Sequence, residues 1–153
     1  MAVREHVTSS MRHSFGSAQG STTEWILPMN RSFAPLMILV AGPYRSGTGD
    51  DPARLAENLH AMEACALPLF RAGHIPVIGE WLALPLVTLA GSRGVGDAAF
   101  EEIFHPIAER LLARCDAVLR VGGASHGADL MVRIARQRGL AVFSSLREVP
   151  GCG

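Results

Sequence analysis

The sequence predicts a parallel, doubly wound α/β sheet flanked by helices, and three observations predict it. Short apolar runs alternate with amphipathic helical patterns along the chain. Two of those runs, residues 37–41 and 117–121, end in glycine-rich polar loops. Each loop leads into helical periodicity, the strand–loop–helix order of a parallel unit with right-handed crossovers. Loops at the carboxyl ends of neighbouring parallel strands line a ligand crevice. The first loop, Gly42-Pro43-Tyr44-Arg45-Ser46-Gly47, and the second, residues 122–129, are therefore expected to share one small-molecule site.

Residues 37–41 (Met-Ile-Leu-Val-Ala) form the first expected strand. Asp51-Pro52 then starts a helix, with an N-cap residue followed by proline at the first helical position. Leu55, Leu59, Met62, Ala66 and Leu69 recur at spacings of four and three, an apolar stripe that faces a sheet. Pro68 is expected to kink or shorten the last turn and Gly73 to end it. Residues 75–78 read as a second strand. Residues 79–97, with Trp81, a Leu-Pro bend and four glycines, read as a long, partly apolar loop or broken helix over the crevice. A second helix spans 98–114, its pattern interrupted by Pro106. The third strand (116–121), third helix (128–138) and fourth strand (140–144) follow, and 147 onward reads as a tail. Residues 1–34, rich in Ser, Thr, Gly and Arg without a period, are expected to be a disordered N-terminal tail, leaving 35–149 as the domain.

A chain of 153 residues that is 48% apolar can bury a substantial core as one domain. Its 14 basic and 14 acidic residues cancel, with no basic run, which argues against a nucleic acid polymer as partner. Cys65, Cys115 and Cys152 are far apart and odd in number. They make neither a disulfide framework nor a metal-binding pair, so a reducing cytoplasm is the expected compartment. No run approaches the roughly 20 apolar residues of a membrane span, and no secretory apolar region is present. No membrane partner is expected. No two histidines have the spacing of a metal pair, so no metal and no cofactor are expected.

Gly123-Ala124-Ser125-His126-Gly127 matches the G-x-S-x-G nucleophile elbow between a strand and a helix. A serine hydrolase would need its acid and then a histidine downstream. Beyond the adjacent His126 no histidine follows, so the match is read as coincidence. Two readings of Ser125 stand: a helix cap alone, or a cap within a glycine-rich turn whose N–H groups, Gly127 included, bind a phosphate. Arg45 and Ser46 would supply complementary donors from the first loop. Gly42, Pro43 and Gly47 set that loop's backbone, while Asp50 and Asp51 serve as turn and cap residues. Glu80 and Trp81 follow the second strand, where a sugar-binding carboxylate and a base-stacking aromatic fit. Core packing is an equal reading of Trp81. His105 and His126 are crevice candidates, and His74 reads as a packed turn residue.

In residues 38–44 (Ile-Leu-Val-Ala-Gly-Pro-Tyr), 72–76 (Ala-Gly-His-Ile-Pro), 115–118 (Cys-Asp-Ala-Val) and 125–142, the chain resembles the nucleoside 2-deoxyribosyltransferase-like superfamily. The resemblance spans residues 37–149. It implies a Rossmann-like fold, often dimeric or of higher order, that binds a nucleoside or nucleotide and cleaves or exchanges its N-glycosidic bond. Arg45, Ser46, Gly47 and Ser125 match the positions that hold a 5′-phosphate in nucleotide-hydrolysing relatives. The family's catalytic glutamate, four residues before Ala135, is Met131 here, and a thioether cannot replace a carboxylate at a cationic sugar centre. A second family carboxylate would fall near His105-Pro106, where no acid stands. Asp129 is the nearest acid and the candidate catalytic residue, although it lies roughly 200° around the helix from Met131. Glu80, Glu101 and Glu102 are the other acids within reach. The expected function is an N-glycosidic-bond hydrolase or transferase acting on a small-molecule nucleoside or nucleotide. The alternative is a catalytically inactive nucleotide-binding or sensing module on the same fold.

Overall fold

Strand β1 (Met37–Ala41) is buried on both faces because successive side chains point to opposite layers. Ile38 and Val40 pack with Met62, Ala66 and Leu69 of helix α1 (Pro52–Ala72). Leu39 and Ala41 pack instead with Ala128, Met131, Val132 and Ala135 of helix α4 (His126–Gln137) and with Leu112 at the end of helix α3 (Ala98–Leu112). These contacts belong to a computed structural model that describes residues 32–153. The expected tail, residues 1–34, lies almost wholly outside the described residues.

Strands β2 (Ile75–Val77), β3 (Ala117–Arg120) and β4 (Ala141–Phe143) complete a sheet of order β2-β1-β3-β4, parallel throughout. The chain moves outward from β1 to β2, then returns to the other side of β1 for β3 and β4. The strand order therefore reverses between β1 and β3, and a crevice opens at their carboxyl ends. The fold is the doubly wound α/β, Rossmann-like architecture that the sequence predicts.

Several elements depart from expectation. Residues 79–97 are a helix, α2 (Gly79–Leu89), followed by a loop. Helices α1, α2 and α3 run unbroken through Pro68, Pro85 and Pro106. Each proline leaves a carbonyl without its N–H partner four residues back, at Ala64, Trp81 and Glu102. All three are exposed residues, so water can satisfy those carbonyls without a break in the helix. The segment from 147 onward is not a loose tail. It forms a short 3₁₀ turn at Leu146–Glu148, then buries Val149 against the core and brings the Pro150 carbonyl to His74. No helix among the described residues is long and apolar enough to cross a membrane.

Candidate functional site

The first loop is held by side chains that the sequence does not mark as functional. Thr48, buried, donates its hydroxyl to the Arg45 carbonyl at 2.6 Å and accepts the Asp50 N–H at 3.1 Å. Asn58 of α1 donates to the Tyr44 carbonyl at 2.8 Å. Arg45 donates to both Asp50 carboxylate oxygens, at 2.7 and 3.0 Å, and its guanidinium lies 3.7 Å from Glu101 of α3. The Arg45 hydrogen bonds hold the Asp50 carboxyl below the usual carboxylate range. Asp51 caps α1 by accepting the Ala53 N–H at 2.9 Å.

The second loop is shaped by Arg120, the last residue of β3. Its guanidinium donates to the carbonyls of Val121, Gly122 and Gly123 (2.7 Å to Gly123), and its Nε donates to Asp129 at 2.9 Å. Across a trans peptide, carbonyl and N–H point in opposite directions. The N–H groups of 122–124 therefore face away from the Arg120 guanidinium, and Gly123 and Ala124 line the depression between the two loops. Gly122 has φ of +73°, and a Cβ there would lie 2.7 Å from Pro43 Cδ, so the loops meet only because this residue is glycine. Ser125 accepts the Ala128 N–H at 3.2 Å, capping α4.

Between these loops, α2 and α3 lies a cavity of about 290 Å³, near the small end of ligand-binding pockets. Gly42, Tyr44, Arg45, Ser46, Glu80, Ser125 and Gly127 line it, as do His105 and His126. Pro43 and Gly47 line the adjoining depression at its mouth instead. Two expected residues are on neither surface. Trp81 points outward, 44% exposed, and its indole N–H donates to Glu63 at 2.9 Å. The Asp129 carboxylate, held by Arg120, lies outside the lining, while Met131, two residues along α4, is buried in the cavity wall. The rotation of an α-helix separates the two.

Of the other candidate acids, Glu102 lies outside the lining, Glu101 lines the cavity but is half exposed beside Arg45, and the buried carboxyl group is Glu80. It stands in the first turn of α2, whose N-terminus has no side-chain cap, and it forms no ion pair among the described residues. Burial pushes it up to about 7, and a hydrogen bond from its own backbone N–H only partly offsets this. Burial and the charge of Glu80 also raise the Tyr44 phenol. Beside them runs an aromatic ladder: Tyr44 stacks on Phe104 at 5.2 Å and Phe104 on Phe100 at 4.4 Å. Phe100 and Phe104 are absent from the sequence-level candidates. Their only signal is their spacing of four on the inward face of α3. Among the described residues no cluster of His, Cys, Asp and Glu could hold a metal ion.

The chain thus belongs to the class of α/β proteins with a ligand-sized crevice at the carboxyl edge of a parallel sheet, furnished with a desolvated acid and an aromatic wall. No protein-family model and no curated protein matches it.

Proposed function

We propose that this protein cleaves or exchanges the N-glycosidic bond of a nucleoside, with Glu80 as the acid of the site. The observation that carries the reading is a carboxyl group, poised near neutrality by burial, facing a cavity beside stacked aromatic rings. Neutral Glu80 would give its proton to the departing base as the C1′–N bond breaks. The resulting carboxylate would stabilise the cationic sugar centre and then take a proton from the water, or second nucleobase, that attacks C1′. Tyr44 offers the ring on which a base can stack.

Arg45 already serves Asp50 and Glu101, so a phosphate on it would meet two carboxylates. This favours a nucleoside over its 5′-monophosphate. A cytoplasmic compartment, consistent with three free cysteines, is part of the same reading. One observation favours a second reading, a binding or sensing module without catalysis: Met131 occupies the cavity wall at the position where the resemblance expects a carboxylate.

Chromatographic detection of free base, over a panel of ribo- and deoxynucleosides and their 5′-monophosphates, separates the two. Base release that is lost in Glu80→Gln supports the glycosidase. A silent wild type that is thermally stabilised by a nucleoside, and becomes active as Met131→Glu, supports the binding module. Silence with no stabilisation by any member of the panel discards both.

A further inference from the structure

His105 of α3 lines the cavity, half-buried, with its ring at 83° to that of Phe104. Among the described residues it forms no hydrogen bond and no ion pair, and its ring nitrogens remain accessible. The start of α4 makes room for it. Glycine disfavours a helix, yet Gly127 stands in the first turn, and a Cβ there would lie 3.0 Å from His105 Cε1. Ala108, three residues on and on the same face of α3, meets the residue before Glu80: a Cβ on Gly79 would lie 3.2 Å from the Ala108 Cβ. One face of α3 therefore reaches from the start of α2, which bears Glu80, to the start of α4, with His105 at the α4 end. The other acceptors of the cavity are engaged or stand at its mouth. Glu101 lies beside Arg45, and the Ser125 hydroxyl accepts the Ala128 N–H. Ser46 and His126 are exposed and shared with the adjoining depression. Apart from the Tyr44 phenol, Glu80 and His105 remain.

We propose, resting on the glycosidase reading, that His105 holds the water that attacks C1′ and so commits the site to hydrolysis rather than exchange. Water carries two protons. As the base leaves with the C1′–N electron pair and the Glu80 proton, the water oxygen adds to C1′, and one of its protons passes to the Glu80 carboxylate. The second O–H stays on the sugar product and donates to an imidazole nitrogen of His105. A nucleobase attacking through a ring N–H gives its single proton to Glu80 and has none there for His105. The imidazole therefore favours water over a second base.

Competition between water and methanol tests the proposal, by product analysis on the nucleoside of the panel that releases base fastest. Methanol has one O–H, so His105 cannot hold it while Glu80 takes that proton. His105→Phe should slow base release by about 100-fold, the scale of a misplaced reactant. It should also raise the ratio of methyl glycoside to free sugar roughly tenfold, the scale of one hydrogen bond. His105→Asn or His105→Gln, whose amide oxygen falls near one or other ring nitrogen, should return that ratio to the wild-type value. His105→Ala should show the same shift in ratio if the Phe ring disturbs folding. Glu80→Gln should slow both products alike. A ratio that moves in neither His105→Phe nor His105→Ala, or that neither amide restores, overturns the role of His105, while wild-type base release leaves Glu80 as the acid. A wild type that releases no base overturns the glycosidase reading and this proposal with it.

Discussion

The two ends of the sheet use similar side chains to opposite effect. At the amino end, Asp116 accepts the Met37 N–H at 2.7 Å while its own N–H donates to the Met37 carbonyl at 2.8 Å. Buried His74 accepts the Leu36 N–H at Nδ1 (3.1 Å), meets the Pro150 carbonyl through Nε2 (2.7 Å) and stacks on Phe33. Both its ring nitrogens are occupied, and the imidazole ties the start of β1 and the C-terminal segment together. At the carboxyl end, Glu80 has no ion pair, and the N–H groups of residues 122–126 reach no acceptor among the described residues. A buried polar group whose partners are supplied within the chain is a structural tie. The N–H groups at the carboxyl end belong to residues that are exposed at 122–124 and 126, open to water or to a ligand.

Four substitutions and one titration would break or sharpen that contrast. The largest effect is expected at the open end: Glu80→Gln should lower base release by roughly 10³-fold, the scale of a lost general acid. A residual rate near wild type removes Glu80 from the chemistry. At the closed end, His74→Ala should destabilise the fold by about 3 kcal/mol, through two lost hydrogen bonds and the void left behind. Urea unfolding measures this, and nucleoside affinity of the folded fraction should not change.

Glu80 also gives the wild type a pH signature. Its carboxyl is raised from 4.5 to about 7 in the folded protein, so between those values the unfolded chain has released a proton that the folded one retains. Stability should therefore fall as pH rises through that window, by about 3 kcal/mol at most. Glu80→Gln should flatten the profile. A wild-type curve that rises over this interval, after subtraction of the Gln variant's, contradicts a desolvated Glu80.

Smaller effects are expected around the second loop. Arg120→Met should cost about 1–2 kcal/mol and raise the nucleoside KM more than it lowers kcat, because three carbonyls lose their common donor. Asp129→Asn should be the mildest, retaining most base release, since Asp129 touches the site only through Arg120. If Asp129→Asn loses as much activity as Glu80→Gln, Asp129 takes part in the reaction and Glu80 is not the sole acid of the site.

Much of this was legible in the residues alone. Both glycine-rich loops, the Asp51 and Gly73 ends of α1, and the strands either side of the crevice are written in local periodicity and capping chemistry. Helix α2 was not. Its apolar positions occupy two faces, Ile78 provides no cap and Pro85 reads as a helix breaker, so the stretch imitates a loop. Thr48, too, gives no sign in sequence that it will be the buried knot of the first loop.

What the sequence determined by itself is the alternation of strands and helices, the two polar loops and the cap that starts each of α1 and α4. These depend on interactions among residues close in the chain, which spacing and side-chain type dictate. Only the tertiary structure decided which acid faces the cavity, which aromatics wall it and which face of α2 remains uncovered. Glu80 titrates near neutrality because α3 closes over the start of α2, and Asp129 does not line the cavity because α4 turns Met131 inward. Desolvation is set by neighbours distant along the chain, and no local pattern encodes who those neighbours will be.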